Sequence, residues 1–282
     1  MVAFASNSIL CRLALADRSI DPVGFTSVRL AAGAITLLAV ARLGGRRRTA
    51  TNRGSWGSGL ALFLYAAAFS LAYVRLDAGT GALILFGCVQ LTMMVRGLRA
   101  GERPGALEWA GIVTAAGGLV YLVSPGLTAP APVGSALMGT AGIAWGVYSL
   151  RGRRALDPVV STTDNFVRAV PFALAAAVVS FGRLEGSTRG VLLAVASGAL
   201  ASGLGYVLWY FALRGLTAMR AATVQLTVPV IAAGGGVLLL SETLSLRLVV
   251  AAALVLGGVG AALASGYRFP NRGCGEGNPH HA

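Results

Sequence analysis

Ten continuously apolar runs succeed one another along a chain of 282 residues, near 2–16, 23–41, 56–74, 79–97, 107–123, 133–150, 160–182, 191–213, 219–240 and 247–265. All but the first reach the ~17 to 25 residues that an α-helix needs to cross ~30 Å of hydrocarbon. Strands of a membrane barrel would alternate apolar and polar positions, and these runs do not. A backbone in lipid must satisfy its polar groups within the segment, so the pattern predicts an all-α integral membrane protein with ten transmembrane helices. Composition excludes a soluble globule: 56% of the residues are hydrophobic and 12% charged, against ~25% charged in an ordinary soluble domain. The opening "MVAFASNSILCRLALADRSI" has no basic residue ahead of its apolar stretch, so it reads as a first span and not as a cleaved signal peptide.

All 23 basic residues are arginine and the formal net charge is +13. They fall in short clusters between apolar runs and not along one soluble face, which argues against a nucleic-acid partner. With the N-terminus inside, fifteen lie in cytoplasmic connections or the tail (Arg42, Arg46, Arg47, Arg48, Arg53, Arg96, Arg99, Arg103, Arg151, Arg153, Arg154, Arg214, Arg220, Arg268, Arg272). Five lie opposite, namely Arg18, Arg75, Arg183, Arg189 and Arg247, and three lie within spans, Arg12, Arg29 and Arg168. The split satisfies the positive-inside rule for ten spans with both termini cytoplasmic.

The chain repeats its punctuation. A shift of 140 residues lays Glu102 of "RAGERPG" on Glu242 of "LSETLS", Gly117-Gly118 on Gly257-Gly258 and "LDAGTGA" (76–82) on "LTAMRAA" (216–222). The halves also open alike, with "FASNS" (4–8) and "WGVYS" (145–149), then "IDPV" (20–23) and "LDPV" (156–159), then Arg29 and Arg168. A repeat of five spans is odd, so the second copy enters the membrane from the opposite side and the repeats are inverted. The expected organisation is a first repeat over 1–130, a second over 131–266 and a tail over 267–282 that reads as disordered and cytoplasmic. Inverted repeats of this kind build alternating-access carriers with a site near the midplane.

The second half, "GYVLWYFALRGLTAMRAATVQLTVPVIAAGGGVLLLSETLSLRLVVAAALVLGGVGAAL" (205–263), resembles the EamA repeat of the drug/metabolite transporter superfamily. Ala212-Leu213, Leu216, Ala218, the mid-span Pro229, Ser241-Glu242 and Gly257-Gly258 stand at its motif positions, and "AWGVYSL" (144–150) resembles its Trp-Gly opening. The first half departs: Val89-Gln90 stand where the proline is expected, and "FASN" replaces Trp-Gly. The resemblance implies ten helices and movement of a small-molecule substrate, commonly export of amino acids or other metabolites from the bacterial inner membrane. The expected partners are that substrate and the lipid bilayer, with no cofactor, and the assembly a monomer or weak homodimer. Efflux of hydrophobic amines, drugs or nucleotide-linked metabolites is the competing transport reading. An enzyme would need a nucleophile with its base, or metal ligands, at mid-span, and the two histidines, His280 and His281, sit in the tail. A scaffold or sensor would carry a soluble output domain that these short connections cannot hold.

Candidate site residues are the polar and aromatic side chains within spans. Asn7 and Tyr148, at equivalent places in the first and sixth spans, can bond substrate or a neighbouring helix. Gln90 and Gln225 put uncharged amides near mid-span, where they need a partner or a wet cavity. Tyr73, Trp145, Tyr206, Trp209 and Tyr210 are available for an aromatic wall, whereas Trp56 and Trp109 fit the interfacial belt. Arg168 has Asp164 one helical turn before it and can be neutralised there. Arg29 has no such neighbour and is a candidate ligand for a substrate carboxylate, unless it snorkels or pairs across helices. Arg12, near the outer end of a short span, is a weaker candidate. Asp164 is the one carboxylate inside a span, so uncoupled or exchange-type export is favoured over tight ion coupling. Pro229 and Gly234, Gly235 and Gly236 read as a hinge. Cys11, Cys88 and Cys274 are isolated.

Overall fold

The computed structural model describes residues 1–46, 53–101, 104–126, 128–152, 155–180, 184–213 and 224–265. Several sequence landmarks lie outside them: Glu102, Leu216, Ala218, the arginines at 47, 48, 103, 153, 154, 183, 214 and 220, and the tail. Among the described residues the chain forms α1 (Val2–Ala16), α2 (Pro22–Leu43), α3 (Trp56–Tyr73), α4 (Ala78–Arg99), α5 (Ala106–Val123), α6 (Pro132–Gly152) and α7 (Pro158–Val179). Then come α8, made of Thr188–Ala196, a π-helical Ser197–Leu204 and Gly205–Leu213, followed by α9 (Thr227–Leu240) and α10 (Leu246–Ser265). Seven of these helices are long and apolar enough to cross a membrane. The polar residues Asp164, Asn165 and Arg168 lower the hydropathy of α7, and α1 and α9 are short.

Helix starts are written into the sequence. The two Asp-Pro pairs place a carboxylate just outside α2 and α7 and a proline at the first helical position, where no intrahelical N–H bond is lost. Asp21 accepts from Val23 N and Gly24 N, and Asp157 accepts from Val159 N and Val160 N. Pro229 stands in the first turn of α9, just after a one-residue turn at Leu226 that follows helical residues 224 and 225; the rest of the span ahead of them, 219–223, lies outside the described residues. The ring and missing N–H of Pro229 disfavour a helical bond to the carbonyl of Gln225, which accounts for the break at Leu226. Gly234, Gly235 and Gly236 lie inside an uninterrupted α9.

The helices pack as the repeat demands. α2 packs on α7, α4 on α9 and α5 on α10, each on its own counterpart, while the α3–α6 and α4–α6 contacts are matched by α1–α8 and α1–α9. The α5–α10 seam shows the symmetry atom by atom. A Cβ built on Gly258 would lie 2.7 Å from Ala115 N, and one built on Gly118 would lie 3.1 Å from Val255 N. These contacts interchange under the 140-residue shift. Positions run in opposite order along the two helices, Gly111 against Gly258 and Ala262, Gly118 against Leu254 and Val255, so the counterparts are antiparallel. Inverted copies produce that arrangement.

α3 and α4 form the centre, with 61% and 67% of their apolar windows buried, whereas α5 and α10 bury 28% and 33% and turn their remaining faces outward. Val113, Val120, Val249 and Leu254 are among the exposed side chains of that outer pair. An apolar outer face is stable in lipid, while small residues let helix backbones approach where hydrophobic driving force is lacking.

This seam yields a paired test. Gly258→Leu forces a side chain onto Gly111 O, 2.6 Å from the added Cβ, and should lower the melting temperature in detergent by several degrees, consistent with an overpacking cost of ~1 to 3 kcal/mol. The neighbouring Gly257→Leu meets nothing within 4 Å and should leave the melt unchanged; equal melts for the two variants would remove the seam from the account of stability.

Candidate functional site

A narrow cavity of ≈ 20 Å³ is lined by both halves of the chain. α1 supplies Phe4, Asn7 and Ser8, which share one face by their three- and four-residue spacing. α3 supplies Tyr65 and Phe69, again four apart; α4 gives Leu85 and Phe86; α6 gives Trp145; α8 gives Tyr206; and Gln225 stands just ahead of α9. Among the described residues the lining thus contains rings, two amides, three hydroxyls (Ser8 and the phenols of Tyr65 and Tyr206) and no charged side chain.

Trp145 is the hub of the aromatic wall. Its ring lies 4.8 Å from Tyr65, 5.3 Å from Tyr206, 6.5 Å from Phe4 and 5.4 Å from Tyr148, on which it is stacked. Phe4 meets the edges of Tyr206 and Trp209 at 5.7 and 6.0 Å. Such edge and offset contacts favour fixed ring positions.

Behind this wall sits a polar hub. Arg29 on α2 is 2% exposed. Its Nε donates to Ser202 Oγ (3.3 Å) and its Nη2 to the Tyr65 hydroxyl (3.0 Å). The Asn7 amide is oriented by its neighbours: its nitrogen donates to Ser197 Oγ (2.6 Å), and its oxygen accepts from Ser202 Oγ (3.2 Å) and Arg29 Nη2 (3.0 Å). The π-helical segment of α8 makes this possible, since it carries both Ser197 and Ser202 to α1 and α2. Gly198 in the same segment lies against the backbone of Arg29. The guanidinium also covers the rings of Tyr65 and Phe69, at 5.2 and 5.0 Å.

A second cluster ties the halves together at one end. Glu242, in the α9–α10 connection, accepts from Ala78 N through both carboxylate oxygens (2.9 and 3.1 Å) and from Arg12 Nε (3.2 Å). It serves the open N-terminus of α4, where Asp77 makes no side-chain cap. Arg12 also donates to Tyr73 O (3.0 Å) and Asp77 Oδ1 (3.5 Å). Burial raises the Glu242 carboxyl above its ordinary range, against the lowering pull of Ala78 N and Arg12. The α1–α2 and α7–α8 connections join at this end too, through Asp21 N to Glu185 O (2.8 Å) and an Arg189–Asp17 pair (2.8 Å).

Of the residues singled out in the sequence, Asn7, Trp145, Tyr206 and Gln225 line the cavity, and Arg29 lies directly behind Asn7, Tyr65 and Phe69. Four others lie off the lining. Tyr73 is fully buried beside Phe69 and donates to Ala78 O (3.2 Å), between cavity and Glu242. Tyr148 backs Trp145, Trp209 backs Phe4, and Gln90 is buried on α4. The side chain of Tyr210 is outside the described part. Arg168 pairs with Asp164 at 2.7 Å as its spacing predicts. Trp56 and Trp109 are exposed near the starts of α3 and α5, as a belt requires. Gly235 and Gly236 are occupied in packing, against Ile9 and against Glu242 and Ala78, while Gly234 faces open space.

Sequence reasoning missed Phe4, Tyr65, Phe69 and the two serines of the hub. The four-residue spacing of Tyr65 and Phe69 is their signal, and "SGALASG" (197–203) is that of the serines. It also missed that Arg12, Asp77 and Glu242 meet, for which no local pattern exists.

The comparisons with known proteins agree with this architecture. Residues 1–124 and 133–264 match the EamA-like transporter family. An uncharacterized protein of Pseudomonas aeruginosa is 52% identical over 265 residues, covering 94% of this chain and 92% of its own. An uncharacterized transporter of Archaeoglobus fulgidus is 25% identical over 246 residues, covering 86% and 88%. A solved crystal structure superposes with a TM-score of 0.65 at 20% identity, over 94% of this chain and 97% of that one, a likeness of fold. A chain whose two halves both match one family, and which shares the helical fold, is a membrane transporter that belongs to the EamA-like transporter family.

Proposed function

We propose that the protein exports small neutral or zwitterionic metabolites, neutral amino acids first among them, across the bacterial inner membrane by alternating access. The observation that carries this reading is the cavity lining, drawn from both repeats and made of rings and amides. An apolar side chain rests on Trp145, Tyr206 and Phe4 with little desolvation cost, while Asn7 and Gln225 supply donors and acceptors. A hydrophobic amine finds no counter-charge among the lining residues, which disfavours cation efflux. The same lack of a carboxylate supports exchange or facilitated movement over proton coupling.

Alternation requires one end of the cavity to close while the other opens. In this reading the Arg12–Glu242–Ala78 cluster is the closing contact at one end. α9 connects it to the site, with Gln225 just before its first turn and Glu242 two residues past its last. The break ahead of Pro229 and the glycines at 234–236 let α9 tilt, which parts Glu242 from Ala78 while moving Gln225. In this reading the end is external and both termini are cytoplasmic, which the arginine distribution supports.

Uptake of labelled metabolites into liposomes holding the purified protein tests the reading: neutral amino acids should exchange, and Trp145→Ala should weaken their apparent affinity by about tenfold, the effect of losing ~1.4 kcal/mol of ring contact. Transport of polycations alone would refute it. For the closing contact the reporter is Cys11, fully buried beside Arg12, in a variant whose other cysteines are serine. Glu242→Gln should raise its labelling by an impermeant maleimide roughly tenfold, as expected when a charge-assisted bond of ~1.4 kcal/mol is lost. A carboxyl raised above its ordinary range protonates earlier as the pH falls, so wild-type labelling corrected for maleimide reactivity should rise on acidification, whereas the variant's should stay flat. Unchanged labelling in the variant removes Glu242 from the gate. For orientation, Cys274 in intact spheroplasts should resist the same reagent; ready modification reverses the assigned topology.

A further inference from the structure

Arg12 on α1, Arg29 on α2 and Arg168 on α7 are treated differently by the chain. Arg168 has Asp164 at 2.7 Å, and Arg12 has Glu242 at 3.2 Å and Asp77 at 3.5 Å. For Arg29 no carboxylate among the described residues comes within the 4.0 Å of an ion pair. Its partners are a phenol, a serine hydroxyl and an amide oxygen, all neutral, with two ring faces. One nitrogen, Nη1, is buried and has no hydrogen-bond partner among the described residues.

A guanidinium carries five N–H donors and stays charged. Leaving two of them unbonded in a buried site within the membrane is unfavourable, and such a site binds an anion readily because the anion supplies both the missing acceptor and the missing charge. The residues that hold Arg29 connect it to the cavity, since Asn7, Tyr65 and Phe69 are at once its neighbours and part of the lining. An anion in the cavity would reach Nη1 only if Asn7 or Tyr65 moved aside.

We infer that Arg29 anchors the carboxylate of the transported molecule, so that this protein recognises small monocarboxylates with an apolar body and does not require their amino group. The inference rests on the transport reading above and narrows it. Among the described residues the lining offers no acidic side chain to an ammonium, and Arg29 already covers one face each of Tyr65 and Phe69, the rings nearest its own charge. The ammonium of an amino acid therefore gains little here beyond the amide oxygens, whereas its carboxylate meets a preformed, unpaired cation.

Three molecules sharing one ring separate the two groups: phenylalanine, 3-phenylpropionate, which lacks the amine, and 2-phenylethylamine, which lacks the carboxylate. The ring is chosen because the cavity wall is aromatic. Two readouts are used at pH 7.5, stabilisation of the purified wild-type protein against heat, and uptake of each labelled compound into proteoliposomes corrected for protein-free liposomes. The acid should stabilise the protein and enter at least as well as phenylalanine, and the amine at least tenfold less well. Arg29→Gln should reduce the first two compounds to the level of the amine, with Arg29→Lys recovering part of the difference. The wild-type melt needs no variant to fold, so it decides the matter even if Arg29→Gln does not assemble. An amine that binds as tightly as the acid overturns the inference while transport stands. Uptake of none of the three, nor of any other neutral amino acid, refutes the transport reading and the inference with it.

Discussion

Hydrocarbon offers a backbone no water to bond, and the rest of this structure follows from that. Each span has to close its own hydrogen bonds as a helix, and once helices are complete there is no hydrophobic force left to press them together in lipid. Contact has to come from close fit. The chain supplies it with small residues, as at the antiparallel α5–α10 seam, where Gly111, Ala115 and Gly118 lie against Val255, Gly258 and Ala262. The same device recurs where Gly33 admits Phe166 between α2 and α7, and where Gly79 admits Ala233 between α4 and α9. All three are contacts between a helix and its own counterpart in the other repeat, so glycine provides close approach at each of these pairs.

Polar groups placed in such a setting must find partners, and the way they do so organises the functional region. The hydroxyls of Thr26 and Ser70 bond one another across α2 and α3 (2.9 Å), a structural use of polarity. The hub of Asn7, Arg29, Ser197 and Ser202 is different in kind, because it gathers a charge without a counter-charge and sets it behind a wall of rings. A π-helical segment in α8 is the local irregularity that permits it, in keeping with the frequent use of π-bulges at functional positions. Glu242 completes the picture at the end of the bundle: it caps a helix of one repeat from a connection of the other, so this contact joins the halves.

Much of this was legible in the sequence, and the reasons are physical. Continuous apolar runs of membrane length fix helices, because lipid leaves no alternative, and the bounds of α1 agree with the run read at 2–16. Asp-Pro pairs mark helix starts through covalent geometry alone, as at Asp21 and Asp157. An odd number of spans per repeat dictates inversion by counting. The pairing of Asp164 with Arg168 is set by helical pitch. Each of these depends on residues within a few positions of one another, or on topology that follows from number.

What only the tertiary structure decided involves residues far apart. Arg12 and Glu242 are 230 positions distant, and no local pattern announces that they meet. Gln90 and Gln225 looked equivalent as mid-span amides, yet one is buried within α4 and the other lines the cavity, because the facing of a side chain depends on which helices surround it. Pro229 was legible as a helix breaker, since its ring forbids the bond to Gln225, but that the interruption falls at Leu226, beside the cavity-lining Gln225, is seen only in the structure. Arg29 was recognisable as a charge lacking a neighbour, but that it still lacks one after folding, with Nη1 unbonded behind an aromatic wall, is a property of packing among α1, α2, α3 and α8. The sequence determined which segments cross the membrane, since that is a matter of local transfer energy. Which side chains converge was settled by helix packing, since convergence depends on distances that exist only once the spans are assembled.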